Sequence, residues 1–331
     1  MIDIKTKIDL NGVRQRIHVV TDDEQKPVLL FLHGGPGVCN RHSILTDHID
    51  LMDTFTLATW DQRGTGGSYF GVKKETLTAA QLTKDAADLV VWLCERFHKE
   101  KIFVIGGSWG SQLMTMLVRD YPERIAAAVG FGQVVDGELN EKISYEFALN
   151  AAREASDQKS VDRLRELGPP VMGEYRGGFK GLMVQRRVMM KYGGYSHSEK
   201  KRSYVRAMVV PILKSGEYSL CDLYGYFKGY KTVLSAMWHE VAHVKFPETH
   251  TRFSVPFFIF NGRHDMNTPS ELVQDWFDAI EAPRKELIWF ENSGHNPMGD
   301  EPDKFKRLLR TRLMKIAEAE EGNVMQGDFI R

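Results

Sequence analysis

The sequence lacks an excess of charge of either sign. Lys and Arg together number 44, Asp and Glu also number 44, and the formal net charge is therefore zero. A protein that binds nucleic acid or an anionic membrane surface usually presents a strongly basic field. The charge balance therefore argues against both classes, and we expect neither nucleic acid nor a membrane as a partner.

Cysteines and long apolar runs are also scarce. The three cysteines, Cys39, Cys94 and Cys221, are odd in number and widely spaced, which favours reduced thiols over a disulfide framework. No apolar run approaches the roughly 20 residues that span a bilayer, and the first residues lack the apolar core of a signal peptide. These absences predict a cytoplasmic protein, either a monomer or a homo-oligomer.

What is present in the first third is an alternation of strand and helix patterns. "MIDIKTKIDL" and "VRQRIHVV" flank Asn11-Gly12 and predict a β-hairpin. "PVLLFL", "FTLATW" and "KIFVI" are short apolar runs typical of buried parallel strands, and helical patterns lie between them. This order predicts an α/β fold with a mostly parallel sheet flanked by helices.

The alternation stops near Val134 and resumes near Thr251. Residues 134–250 read as helical and polar with glycine-rich joints, and they hold nine of the eleven tyrosines. We predict a core formed by residues 1–133 and 251–331, the latter including a polar C-terminal tail, with residues 134–250 inserted as a helical cap. The tyrosines predict a pocket whose walls are apolar rings that carry polar hydroxyl groups.

A serine lies at a corner between a strand pattern and a helix pattern. "GGSWG" places Ser108 in a G-x-S-x-G motif after "KIFVI" and before an apolar run at helical spacing. This context is typical of a nucleophile elbow, whose tight turn tolerates no side chain two residues away. The motif predicts that Ser108 is a nucleophile and that the N–H of Trp109 faces an oxyanion.

A serine nucleophile needs a base and a group that orients the base. In folds with this type of nucleophile elbow, the order along the chain is serine, acid, histidine. Asp265 follows the strand pattern "VPFFIFNG", and His295, the only histidine after Asp265, follows "ELIWF". We therefore predict a triad of Ser108, Asp265 and His295.

The glycine-rich loop "HGGPG" follows the predicted third strand. Gly34 and Gly35 let the backbone approach a substrate closely, and the N–H of Gly35 is the predicted second oxyanion donor. His33 is interpreted as an organiser of this loop. "DQRG", from Asp61 to Gly64, is interpreted as a structural loop with Arg63 as a forked donor.

These motifs carry a family resemblance. "HGGPG", "WDQRGTGGS", "GGSWGS", "GRHD" and "GH" occur in an order that resembles the proline iminopeptidase branch of the α/β-hydrolase superfamily. The resemblance implies an eight-stranded sheet, a helical cap between strands six and seven, and the triad named above. It also implies release of an N-terminal residue, typically proline, from short peptides.

Such an aminopeptidase must bind a free α-ammonium with carboxylates. The resemblance implies glutamates in a tryptophan-rich cap motif, whereas this cap has one tryptophan, Trp238. Glu240 is the candidate substrate-binding carboxylate. The departure favours a broader esterase or amidase over a true aminopeptidase.

A different class of enzyme is suggested by "HEVAH". His239 and His243 are one helical turn apart, and Glu240 between them would be the general base, as in zinc metallopeptidases. The third histidine of the extended motif is missing, because position 249 is a threonine. A non-catalytic binding protein on a hydrolase fold is a third alternative. The prediction is a serine hydrolase that needs no cofactor or metal and acts on a small molecule or short peptide.

Overall fold

The computed structural model describes residues 1–197 and 209–327, with side chains to residue 319. Eight strands form one sheet in the order β1-β2-β4-β3-β5-β6-β7-β8. The strands are β1 Ile2–Leu10, β2 Val13–Thr21, β3 Val28–Leu32, β4 Thr56–Trp60, β5 Ile102–Gly107, β6 Ile125–Phe131, β7 Phe257–Gly262 and β8 Lys285–Phe290. β2 pairs antiparallel with β1 and β4, and every other neighbouring pair is parallel.

Helices flank this sheet and fill the long connection after β6. They are α1 Arg41–Asp47, α2 Ala79–Arg96, α3 Trp109–Asp120, α4 Gly137–Glu154, α5 Gln158–Leu167, α6 Phe179–Lys191, α7 Val210–Lys214, α8 Leu220–Ala242, α9 Phe246–Thr249, α10 Glu271–Ala279, α11 Pro297–Asp300 and α12 Pro302–Gly327. The α/β fold predicted from the sequence is confirmed. In the part of the chain that the structure describes, no helix is long and apolar enough to cross a bilayer.

The hairpin at the start of the chain also follows its prediction. Asn11 and Gly12 have φ angles of 51° and 76°, the left-handed values that a tight two-residue turn requires. β1 and β2 then pair without a break from Leu10–Val13 to Ile2–Thr21.

Successive side chains of the buried strands pack alternately into two hydrophobic cores on opposite faces of the sheet. On β3, Leu30 and Leu32 pack with the α2 and α3 side, whereas Leu29 and Phe31 pack with the α12 side. Because successive residues of a strand point to opposite faces, a fully apolar run is needed where both faces are covered.

The predicted cap, residues 134–250, lies between β6 and β7. Its described part holds helices α4 to α9 and a small apolar core of its own. Met266, from the loop after β7, packs against that core. The cap therefore contacts the same edge of the sheet at which β7 and β8 end.

Candidate active site

Ser108 occupies a strained turn between β5 and α3. Its φ and ψ are 58° and −126°, a backbone conformation that a residue with a side chain rarely adopts. A side chain at position 106 would lie 2.1 Å from the carbonyl oxygen of Gly110, and one at position 110 would lie 2.0 Å from that of Leu32. Both glycines are therefore required for this turn, which leaves Ser108 partly exposed at the end of the strand.

The loop after β3 lies directly against this turn. A side chain at position 34 would come within 3.1 Å of the Gly107 carbonyl oxygen and 3.2 Å of Ser108 Cβ. The N–H groups of Gly35 and Trp109 donate to no acceptor among the described residues. Trp109 also begins α3, where the helix dipole favours negative charge. Two free N–H donors beside a serine can both donate to a developing oxyanion.

His33 and Gln62 hold this loop in place. His33 Nδ1 donates to the Gly34 carbonyl oxygen at 2.9 Å, and Nε2 accepts from the Gln62 N–H at 3.1 Å. Gln62 Oε1 in turn accepts from Trp109 Nε1 at 2.9 Å. Burial lowers the pKa of His33 to about 4, so the ring is neutral and acts as the loop organiser that the sequence predicted.

The "DQRG" loop is tied to the core by ion pairs. Arg63 donates to both oxygens of Asp85 at 2.7 and 2.8 Å, and both residues are buried. Arg41 donates to Asp61 at 2.8 Å. These contacts give the loop a structural role.

Asp265 and His295 follow the neighbouring parallel strands β7 and β8, so their loops meet at one edge of the sheet. His295 Nδ1 lies 2.8 Å from Asp265 Oδ2, and both side chains are buried. Asp265 Oδ1 accepts the N–H groups of Asn267 and Thr268 at 2.8 and 2.9 Å. The Thr268 hydroxyl donates to Oδ2 at 2.7 Å. A carboxylate held by this many donors fixes the tautomer and orientation of the imidazole.

The end of β6 connects this pair to Ser108. The Ser108 N–H donates to the Phe131 carbonyl oxygen at 3.0 Å. Gly132 follows, and a side chain there would lie 2.8 Å from His295 Cε1. Ser108 and His295 thus flank the same two-residue segment.

The Nε2 atom of His295 already has a partner. It accepts from Asn267 Nδ2 at 3.1 Å, and no hydrogen bond joins it to Ser108 Oγ within the described residues. Catalytic hydrogen bonds often tighten only when substrate binds. Asn267 was not predicted, although its position two residues after Asp265 could have suggested it.

A segment of the cap was also missed by the sequence analysis. The Tyr195 carbonyl oxygen accepts the His295 N–H at 2.7 Å, and the two rings are 4.9 Å apart. The Gly194 carbonyl oxygen accepts the Met266 N–H at 2.9 Å. The cap backbone therefore contacts both loops that carry the acid and the histidine. No local pattern around Tyr195 indicates this contact.

The structure places Glu240 away from these groups. Its carboxylate accepts the Ala79 N–H at 2.7 Å, at the start of α2, and has no described contact with Ser108 or His295. The carboxylate beside His239 is instead that of Glu174, at 2.7 Å. The metallopeptidase alternative assigned Glu240 as a general base beside the two histidines, and the structure does not bring these three groups together.

Comparisons with known proteins agree with the fold. A family model described as the alpha/beta hydrolase fold matches residues 27–171. A probable aminopeptidase of Bacillus subtilis strain 168 is 28% identical over 313 residues, covering 93% of this chain and 95% of that protein. A proline iminopeptidase of Lactobacillus helveticus is 29% identical over 128 residues, covering 38% of this chain and 42% of that protein.

Solved structures give the same result for the fold. A proline iminopeptidase-related protein from Thermus thermophilus superposes with a TM-score of 0.66 at 15% identity, covering 96% of this chain and 100% of that chain. The chain therefore has the α/β-hydrolase fold and is similar to proteins named aminopeptidase and proline iminopeptidase.

Proposed function

We propose that this α/β hydrolase is a serine hydrolase that cleaves an ester or amide bond of a small or medium-sized substrate. The observation that carries the proposal is the buried Asp265–His295 pair, 2.8 Å apart, beside a serine on a strained turn. A serine, a histidine and a carboxylate in these roles form an acyl-transfer machinery on several unrelated folds.

Each group has one role in the proposed reaction. Ser108 Oγ attacks the substrate carbonyl carbon while His295 Nε2 takes its proton, and Asp265 stabilises the charge on the imidazole. The N–H groups of Gly35 and Trp109 donate to the tetrahedral oxyanion. His295 then returns the proton to the leaving group, which departs and leaves an acyl-enzyme. Water, deprotonated by His295, hydrolyses that ester and restores Ser108.

Asn267 must release His295 before the first step. Its Nδ2 donates to the same Nε2 lone pair that has to accept the Ser108 proton. Because one lone pair accepts one such proton, substrate binding has to exchange Asn267 for Ser108 as the partner of Nε2.

The carboxylates of the cap favour a substrate without a free amine at the cleaved residue. Within the described part of the cap, the buried carboxylates are Glu141 and Asp222. Glu141 accepts from Arg186 at 2.8 Å, and Asp222 accepts from Arg41 at 2.7 Å. A carboxylate that is already paired with arginine should bind an α-ammonium weakly. Exchanging arginine for the ammonium would leave the guanidinium buried without a partner.

A true aminopeptidase is the second candidate. It is favoured by the relative named a probable aminopeptidase, which is similar over 93% of this chain. Free and N-acetylated aminoacyl esters with the same leaving group separate the two candidates. A preference of a hundredfold or more for the free amine, about 2.7 kcal/mol, would favour the aminopeptidase.

The chemical class can be tested without knowing the substrate. A fluorophosphonate should label the protein once and abolish hydrolysis of a panel of aminoacyl nitroanilides and 4-nitrophenyl esters. Ser108→Ala should lose the label, whereas Ser235→Ala, a matched change on the exposed side of α8, should keep it. Labelling of Ser108→Ala to the same extent as the wild type would refute the proposed nucleophile.

A further inference from the structure

Three potential metal ligands lie together outside the candidate active site. His239 and His243 are at the C-terminal end of α8, and Glu174 is in the loop before α6. His239 Nδ1 is 2.7 Å from Glu174 Oε1, and His243 Nδ1 is 3.9 Å from it. One ligand atom can be chosen from each residue so that all three lie within 4.8 Å of one another. We propose that Glu174, His239 and His243 form a binding site for a divalent transition-metal ion of the Zn²⁺ type.

The backbone fixes this cluster without a metal. Histidines four residues apart on a helix lie on one face. The Glu174 loop is fastened to the same helix, because Trp238 Nε1 donates to the Gly173 carbonyl oxygen at 3.3 Å. Val171 and Glu174 also exchange two backbone hydrogen bonds, of 2.9 and 3.0 Å. The ligands are therefore held near one another before an ion arrives, which lowers the ordering cost of binding.

The hydrogen bonds also determine which imidazole atoms are available. His243 Nδ1 lies 2.7 Å from the His239 carbonyl oxygen, which can only accept, so the lone pair of His243 is on Nε2. A backbone carbonyl that binds one ring nitrogen and leaves the other for the metal is a common arrangement around histidine ligands.

A metal would replace the hydrogen bond between His239 and Glu174. Two ligands on one tetrahedral Zn²⁺ at about 2.0 Å each are about 3.3 Å apart. The present 2.7 Å between His239 Nδ1 and Glu174 Oε1 therefore has to widen slightly when the ring proton moves to Nε2 and Nδ1 binds the metal. The side chains of His239 and Glu174 can move, since they are 74% and 47% exposed. Binding should weaken in acid, because an imidazolium has no lone pair for a metal.

The donor set selects the class of ion and its role. Two imidazoles and one carboxylate suit Zn²⁺, Co²⁺, Ni²⁺ or Cu²⁺, whereas Mg²⁺ and Ca²⁺ prefer oxygen ligands only. Three ligands leave the remaining positions to water. Because Glu240 accepts the Ala79 N–H, it is not available as a base for that water. The proposed ion therefore links the Glu174 loop to α8 rather than performing hydrolysis.

Titration calorimetry of the tag-free full chain with Zn²⁺ tests the proposal. We expect one Zn²⁺ per chain, and weaker binding as the pH is lowered. Mg²⁺ should give no binding heat. Zn²⁺ should also raise the midpoint of thermal unfolding.

Variants decide whether this cluster is responsible. His243→Ala and Glu174→Gln should each weaken Zn²⁺ binding at least about tenfold. His98→Asn removes another exposed histidine, outside the cluster, and should bind as the wild type does. Both cluster positions are partly exposed, so circular dichroism should confirm native folding. Equal binding by the wild type and both cluster variants, or no Zn²⁺ binding by the wild type, would overturn the proposal and leave an ordinary surface ion pair.

Discussion

Gly132→Ala is a direct test of how tightly the candidate base is positioned. Gly132 has a φ of 50°, and a methyl group there would lie 2.8 Å from His295 Cε1 and 2.9 Å from Nδ1. Ordinary van der Waals contact begins near 3.4 Å, and the His295 carbonyl oxygen is also 2.8 Å away, so the imidazole and backbone of His295 have to move by about 0.6 Å. A misplacement of 1 Å at a catalytic group can cost 10²-fold in rate. We therefore expect kcat to fall roughly 10- to 100-fold, or about 1.4 to 2.7 kcal/mol in the activation barrier.

Gly12→Ala provides the matched control. Gly12 has a φ of 76° in the β1–β2 turn and no neighbouring atom within 4 Å of a methyl group. Both variants carry the left-handed backbone cost of about 1 to 2 kcal/mol, which urea unfolding should detect in each. Only Gly132→Ala should lose activity, measured as kcat on the best ester of the substrate panel and as the rate of fluorophosphonate labelling. If Gly132→Ala retains kcat within threefold of Gly12→Ala, the imidazole of His295 is not the positioned base.

Three further predictions concern the acid, the metal and pH. Asp265→Asn should lower kcat by about 10⁴-fold, because the amide favours the wrong tautomer of the His295 imidazole. A loss of less than tenfold would show that another residue is the acid of the triad. Chelation with EDTA should leave ester turnover unchanged, because Glu240 is held by Ala79; a loss that Zn²⁺ restores would move the chemistry to the histidine cluster. The pKa of buried His33 is lowered from 6.5 to about 4, so the unfolded chain takes up a proton first as pH falls. The free energy of unfolding, measured with urea, should therefore fall by up to about 3 kcal/mol because of this group between pH 6.5 and 4. In His33→Gln the free energy of unfolding should fall less steeply with decreasing pH. Equal pH dependence in the two proteins would contradict the lowered pKa of His33.

Local sequence signals were sufficient to predict most of the fold and to place the candidate site residues Ser108, Asp265 and His295 at the ends of strands. The apolar runs indicated the strands because both faces of this sheet are covered, and the glycines around Ser108 indicated a turn that no other residue permits. Asp265 and His295 were identified by their positions after strands. Parallel strands bring such loops together without any further information from the sequence.

The contacts that the sequence did not reveal join residues far apart along the chain. Tyr195 meets His295 across the fold, and Glu174 reaches His239 from another element. Neither partner carries a local signature of the other. The assignment of Glu240 to substrate binding remains untested, although its carboxylate is directed to α2. Glu240 is one residue beyond His239, so it lies about 100° further round the helix, toward a different neighbour.

The backbone bonds from Gly194 and Tyr195 have a consequence for protein engineering. A cap that only covered a finished active site could be exchanged between relatives to alter substrate choice. Here the same segment accepts hydrogen bonds from the backbone of Met266 and His295, so the cap helps to position His295. Grafting a foreign cap should therefore preserve these two carbonyl acceptors, or the chimera would lose turnover on every substrate instead of changing its preference.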